Sequence, residues 1–392
     1  MGIVKFGDVV ERINIKVDQS NPQLNYMEHG RRIIIPIKYY VGGEHIEGSE
    51  FMVHKKALIQ GSTIGYQFQF GFRKGDILFM TKNPHLRKAS MVDFDGLCSI
   101  ATFVIASKSN NLLQNYLLLE MQSDRFWQYC EDNKSGGVNY FINWGTLSNY
   151  EFDLPPIEKQ KELADKLWAA YRLKEGYKRL LAAIDEMVKS QFIEMFGNPL
   201  SPIQKWPIVR LGDYCIVNPT RPKGISDEME VSFIPMQDVY DDGDCNKFVN
   251  RPYAEVKKGF TYCADGDVIF AKITPCMENG KGAELQGLTN AMGMGSTEFH
   301  VLRPISGKSI STWLYHFTKL DIIRKDAAKN MTGTGGQKRV PASYFDNFKI
   351  GVPSIDEQMN FAALANPADK SKSYVWTALK NLESMLGYYI RQ

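Results

Sequence analysis

The stretch Leu154-Pro155-Pro156-Ile157-Glu158-Lys159-Gln160 reappears without a gap as Val352-Pro353-Ser354-Ile355-Asp356-Glu357-Gln358. Each copy follows an alternating apolar stretch and precedes a long polar–apolar segment. The echo extends further: Val4-Lys5-Phe6-Gly7-Asp8 matches Val209-Arg210-Leu211-Gly212-Asp213, and 72–79 matches 262–270 around Gly75-Asp76 and Gly266-Asp267. Gly136-Gly137 finds its counterpart in Gly335-Gly336. Order is kept while loop lengths drift. Repeats on this scale outweigh any single motif in deciding a fold. The chain therefore reads as a duplication of one globular unit plus one tail.

Each unit reads as mixed α/β. "GDILFM" and "GDVIFAKI" are expected to be strands opened by a Gly-Asp turn. Residues 111–130 and 311–328 carry apolar residues at three- and four-residue spacing, so each predicts one amphipathic helix late in its unit. A Gly-rich loop and a short strand follow before each Pro phrase. The tails differ in kind. From Ile157 to about Phe196, Leu163, Leu167, Ala170, Tyr177, Leu180, Ile184 and Met187 fall mostly at alternating steps of four and three, slipping between Ala170 and Tyr177. Mixed charges fill the other positions, as on a coiled-coil flank. Pro155-Pro156 suits a helix start and Gly197-Asn198-Pro199 a helix end, and about 40 residues would make a rod of about 60 Å. The second tail repeats the idea with Val375, Leu379, Leu382, Leu386 and Tyr389, with Pro367 predicting a kink or break near Asn366. The expected helix-packing residues are Leu163, Leu167, Tyr177, Leu180, Ile184, Leu379, Leu382 and Leu386. If the two helices pair antiparallel, they hold two similar units about an approximate two-fold axis. The boundaries are 1–154 for the first unit, 155–199 for the central helix, 200–353 for the second unit and 354–392 for the distal helix.

Composition narrows the class. Hydrophobic residues at 44% and charged ones at 23% are ordinary for a globular protein, and a net charge of +3 neither demands nor excludes a nucleic-acid partner. Six cysteines form no C-x-x-C pair, so neither a zinc site nor a disulfide framework is expected. The N-terminus lacks an apolar leader and no apolar run reaches a membrane span, which points to a cytoplasmic protein with no membrane partner.

The search for chemistry returns little. Asn83-Pro84-His85, Asn198-Pro199-Leu200 and Asn218-Pro219-Thr220 all lack the Asn/Asp-Pro-Pro-aromatic form with which an adenine methyltransferase grips a flipped base. There is no phosphate-binding G-x-x-x-x-G-K-[ST] loop, and Gly333-Thr334-Gly335-Gly336 follows a helix rather than opening one. No metal-ligand spacing occurs among the histidines. No catalytic residue, metal or bound cofactor is expected. What remains is binding equipment. "KNMTGTGGQKR" at 329–339 offers Lys329, Gln337, Lys338 and Arg339 with no acid, and its glycines let backbone N–H groups approach an anion. "TKNPHLRK" at 81–88 offers Lys82, Arg87 and Lys88, again with no acid. Arg31 and Arg32 add charge in the first unit, as do Arg221, Lys223, Lys272, Asn279 and Lys281 in the second. Arg, Lys, Asn and Gln are the side chains that read base edges in the major groove.

Taken together, "LPPIEKQKELADKL", "MFGNP", "VRLGD", "AKITPCMENGKGA", "TGTGGQKRVP" and "VPSIDEQ" resemble the specificity subunits of type I restriction–modification systems, over essentially the whole chain. The resemblance implies two target-recognition domains, each reading half of a split, asymmetric site in double-stranded DNA. It also implies two helices forming an antiparallel coiled coil, which spaces the domains and docks two modification subunits, with restriction/translocase subunits in the full complex. S-adenosylmethionine, ATP and Mg²⁺ would then be bound by those partners, in a host-defence assembly that methylates adenine and cleaves DNA. The uninterrupted helix usual in that family is at odds with Pro367. Two alternatives are a specificity chain for a fused nuclease–methyltransferase, sharing the fold, and a DNA-independent helical scaffold, which would show no salt-sensitive DNA binding. A self-sufficient nuclease would cleave DNA alone with a metal.

Overall fold

The computed structural model describes residues 2–391 except 241–242, 244, 246–247 and 335. It divides into two compact units, one of Met1–Tyr177 with Ala378–Gln392 and the other of Lys178–Thr377. Unit one contains a four-stranded antiparallel sheet in the order Ala89–Met91, Ile77–Met80, Thr102–Ser107, Val10–Ile13. Its second sheet runs Ile15–Lys16, Phe68–Phe72, Gly96–Ser99, Tyr39–Val41, Ala57–Leu58, with one parallel pair between Gly96–Ser99 and Tyr39–Val41. Gly2–Lys5 pairs with Glu151–Leu154, so the globular part closes on itself just before the Pro phrase.

Unit two repeats the first sheet strand for strand and the second without its edge strand Ile15–Lys16. Gly282–Glu284, Val268–Ala271, Phe299–Pro304 and Cys215–Val217 form the first sheet. Thr261–Ala264, Met292–Gly295, Glu230–Ile234 and Val249–Pro252 form the second, again with its parallel pair in the middle. Ile208–Arg210 pairs with Lys349–Gly351 in the closing position. The echoed Gly-Asp has a physical basis. Gly75 (φ +92°) and Gly266 (φ +83°) adopt the left-handed turn conformation. The next residue, Asp76 or Asp267, is buried and accepts the backbone N–H of Arg73 or Ala264 at 2.8 Å. Unit one also has a hairpin, Gln23–Glu28 with Arg31–Pro36, without a counterpart among the described residues of unit two. His29 and Gly30, both at positive φ, make its tight turn.

The expected single helix late in each unit is two. Gln114–Gln122 and Asp124–Asp132 are separated by Ser123 in extended conformation, and Ser311–Lys319 and Asp321–Lys329 by Leu320 in the same conformation. The apolar face survives the break in each unit: Phe126 and Trp127, like Ile323 and Ala327, stay fully buried.

The Pro phrase explains itself here. Gln160 and Gln358 are both 0% exposed. Gln160 Oε1 accepts from Leu113 N at 3.0 Å, while its Nε2 donates to the Asn111 and Pro155 carbonyls, each at 2.7 Å. Gln358 makes the same three bonds with Ile310 N, Lys308 O and Pro353 O. A carboxamide alone offers an acceptor and two donors in this geometry. It ties the first turn of each long helix to the segment entering the short helices.

Both long helices are continuous, Ile157–Phe196 and Ile355–Arg391. The break expected at Pro367 does not occur. Ala365 and Ala368 on either side of it are buried in unit two's core with Phe361, and that packing outweighs the lost backbone hydrogen bond. In unit two the helix halves run antiparallel, with Asp185 paired to Lys372 and Phe192 against Phe361 at 5.3 Å. In unit one Leu386 shares a core with Leu167, Trp168 and Tyr171, and Leu163 and Leu382 pack against it. Leu379 is buried, Tyr177 is half-buried, and Ile184 packs on unit two's core. Leu180 is a correction: at 44% exposure it lies off the seam, as does Met187 at 56%. The buried stripe of the central helix runs through Ala164, Trp168, Tyr171, Val188 and Phe192. Apart from Leu167, which belongs to both, it is displaced by about one position from the leucine ladder, because the helix packs on the globular part as well as on the other helix.

Candidate nucleic-acid interface

In unit two, the chain leaving strand Val268–Ala271 forms a loop, 272–281, exposed at Pro275, Glu278 and Asn279, and a second loop, described over 330–334 and 336–340, folds back against it. Arg339 N donates to Thr332 O at 2.8 Å and Thr332 N to Arg339 O at 2.9 Å, closing the second loop on itself. Val340 N donates to Lys272 O at 2.9 Å and Thr274 N to Lys338 O at 3.1 Å, joining the two loops. Thr274 Oγ1 adds a bond to Gly336 O at 2.7 Å. Unit one builds the same junction. Phe141 N donates to Ser135 O at 2.9 Å and Ser135 N to Phe141 O at 2.8 Å. Ile142 N donates to Thr81 O at 3.0 Å and Asn83 N to Tyr140 O at 2.9 Å. Glycine is required at the start of each returning loop. Gly136 has φ +96° and a Cβ there would sit 2.5 Å from Asn139 O; Gly333 has φ +122° and its Cβ would sit 2.7 Å from Gln337 O. The equivalent glycines are thus Gly136 and Gly333, not the Gly136-Gly137 and Gly335-Gly336 pairs, and Gly335 itself lies outside the described residues.

Charge in this region is partly compensated. Arg339 grips Glu298 through Nε to Oε2 at 2.9 Å and Nη2 to Oε1 at 2.7 Å. That hydrogen bonding holds the Glu298 carboxyl below its usual range. Lys272 lies beside both groups, and partial burial pulls its ammonium below the usual lysine range.

A sequence profile of the type I restriction modification DNA specificity domain matches residues 3–185. The specificity subunit of the type I restriction enzyme EcoEI of Escherichia coli is 35% identical over 236 residues, covering 55% of this chain and 39% of that protein. The EcoAI specificity subunit of Escherichia coli is 34% identical over 272 residues, covering 62% of this chain and 46% of that protein. The crystal structure of a type I restriction–modification system S subunit from M. genitalium aligns with TM-score 0.57 at 13% identity, over 100% of this chain and 95% of that one. The match to this DNA specificity domain takes in just under half of the chain. The chain spans less than half the length of the curated relatives it matches.

On this specificity fold the expected DNA-facing residues fall into three groups. Lys272, Asn279, Lys281, Gln337, Lys338 and Arg339 all lie on the loop pair of unit two, with Asn279, Gln337 and Lys338 exposed. Lys281 Nζ donates to Met236 O at 3.1 Å, and Arg339 is engaged by Glu298. Lys82 is exposed at the matching junction of unit one, where its residue bridges to Phe141. Arg87 and Lys88 are engaged within the unit instead: Arg87 pairs with Asp124, and Lys88 Nζ donates to Gly43 O at 2.6 Å. Both were read as free because their partners are remote in sequence. Arg31, Arg32, Arg221 and Lys223 are exposed and belong to other segments than the loop pairs. Arg32 bonds Asn25 on the hairpin, and Arg221 lies over Tyr253 and bonds Lys257 O. The sequence reading placed the returning loop of unit one but named none of its side chains as DNA-facing, although Lys134 lies 4.5 Å from the Tyr140 ring centre and Asn139 is part of the turn. Gly136 was its signal.

The rest of the chemistry is inert in character. Five of the six cysteines are buried, and burial pushes the Cys215 thiol up to about 12 and those of Cys98, Cys130 and Cys263 higher still. A thiol so raised makes a poor nucleophile. Among the described residues, Glu50, His54 and Glu175 form the one cluster with ligand atoms close enough to share a metal ion. The Lys174 ammonium lies 2.9 Å from both Glu50 carboxylate oxygens, so a cation is already built in. Among the described residues no helix is long and apolar enough to cross a membrane.

Proposed function

We propose that the chain is the specificity subunit of a type I restriction–modification complex, reading a bipartite, asymmetric site in double-stranded DNA, one half per unit. The observation that carries this reading is the same loop junction built twice at the exit of the same first-sheet strand with different side chains. Asn139 and Tyr140 stand in one unit where Gln337 and Lys338 stand in the other. A shared scaffold with different donors and acceptors reads different bases, which makes the two half-sites unlike. The chain catalyses nothing by itself. Two modification subunits would bring S-adenosylmethionine for adenine methylation, and restriction subunits ATP and Mg²⁺, within a cytoplasmic assembly.

Methylome sequencing of a host with and without the chain tests this directly. A split motif that vanishes on deletion is the expected result; an unchanged methylome refutes the reading. Purified chain incubated with DNA, Mg²⁺, ATP and labelled S-adenosylmethionine should leave the DNA uncut and unlabelled, and reproducible cleavage would mean the chain is itself a nuclease.

A further inference from the structure

Both units tie the strand-exit loop to the second short helix through an arginine, but from opposite sides. In unit one the arginine is on the loop: Arg87 pairs with Asp124, the first residue of helix Asp124–Asp132. In unit two it is on the helix, at Arg324 of Asp321–Lys329. Arg324 occupies the position that Trp127 holds in unit one. Trp127 stacks on Phe79 with ring centres 5.6 Å apart and planes 14° apart, and the Arg324 guanidinium lies 4.1 Å from the centre of the corresponding Phe270 ring. Arg324 is 6% exposed and, among the described residues, no salt bridge pairs it with a carboxylate, although the Asp321 charge acts on it. Its Nε donates to Thr318 O at 2.7 Å, and its Nη1 to Met277 O at 3.1 Å and Lys281 O at 3.3 Å; Nη2 finds no partner among the described residues.

A buried cation with a spare donor is costly where an indole fits the same scaffold. Burial does lower the guanidinium's pKa, to about 10, which leaves it charged at neutral pH. The two carbonyls it holds, Met277 and Lys281, bracket Asn279, the exposed amide at the tip of the loop. We infer that Arg324 is a positioning residue for half-site recognition: from the interior it fixes the loop 272–281 that presents Asn279, and it never touches DNA. The inference rests on the proposed DNA-reading function and names the residue that sets the accuracy of one half of it.

The test is Arg324→Trp, which borrows the stacking that unit one already uses, with Arg324→Lys as a second variant that keeps the charge but cannot span the carbonyls. Hydrogen exchange on the full chain should show faster exchange of the 274–281 amides, with the Val268–Ala271 strand as protected as before. In the host complex, discrimination at the half-site read by unit two should fall about tenfold, the scale of one mismatched base pair. The other half-site, and the salt dependence of DNA affinity, should not change. Asp124→Asn should relax the opposite half. An unchanged motif with an unchanged loop overturns the inference. So does a shallower salt slope, which would make Arg324 a phosphate contact, and so does loss of both half-sites together. If both variants fail to fold, Arg324 serves stability and the inference also falls. A parent chain that specifies no motif defeats the DNA-reading function instead, while the loop exchange still reports on the clamp.

Discussion

Replacing Gln358 or Gln160 by alanine should destabilise one unit and spare the other. Each glutamine is fully buried and makes three backbone hydrogen bonds, so truncation strands the Ile310 or Leu113 amide and removes the donors to two carbonyls. A stranded buried donor costs about 1–3 kcal/mol. Ile310 and Leu113 are half-buried, so water recovers part of this, and the carbonyls are the cheaper loss. The net expectation is about 1–3 kcal/mol. Urea unfolding followed by peptide-resolved hydrogen exchange measures it unit by unit. Gln358→Ala should accelerate exchange across 308–320 and leave 111–122 unchanged, and Gln160→Ala should do the reverse. Gln→Glu keeps the acceptor but faces a carboxylate toward two carbonyls, and should cost more than alanine at neutral pH. The double variant should be additive within about 0.5 kcal/mol, as expected of distant sites. A cost below about 0.5 kcal/mol, or equal loss in both units from either single change, would refute the reading of this phrase as two separate tethers.

Lys338→Ala should reduce the slope of log DNA affinity against log salt by about one unit, whereas Glu298→Gln, by releasing Arg339, should steepen it by a similar amount; identical slopes would make the loop a plain surface turn. Gly333→Ala, which drives a Cβ to 2.7 Å from Gln337 O, should weaken DNA binding more than Gly336→Ala, which meets the same kind of positive-φ strain (φ +81°) but open space; equal effects would refute the steric argument. His300 is buried, donates through Nε2 to Val340 O at 2.7 Å, and has its pKa lowered below 6.5 by burial. Because the unfolded state then binds the proton more tightly, its contribution is complete above about pH 6.5 and lost as pH falls below that. The stability difference between the parent and His300→Gln should therefore shrink from pH 7.5 to pH 5, and a difference independent of pH would refute it.

The repeat was legible because its residues do jobs that no other residue type can do. Gln160 and Gln358 each need an acceptor and two donors on one buried side chain, and Gly75 and Gly266 each need positive φ next to a capping carboxylate. Identity of chemistry forced identity of letters, so two copies of the fold could be aligned by eye. What escaped was fixed by partners remote in sequence. Arg87 and Arg339 stand in acid-free windows, yet Asp124 and Glu298 reach them through the fold. The breaks at Ser123 and Leu320 carry neither Gly nor Pro, and the apolar spacing passes through them unchanged because both short helices bury the same face. Pro367 misled for the converse reason: a strong local signal was overruled by the burial of Ala365 and Ala368 beside it. Arg324 joins the two cases. By composition it is one more surface cation, and only the Phe270 ring beneath it and the carbonyls around it show that the charge faces inward. Charge counted along the chain therefore overstates the cations free to meet DNA. The candidates that remain exposed on the loop junctions are Lys82, Asn279, Gln337 and Lys338, and substitutions at these four should alter DNA affinity or sequence preference with the least loss of stability.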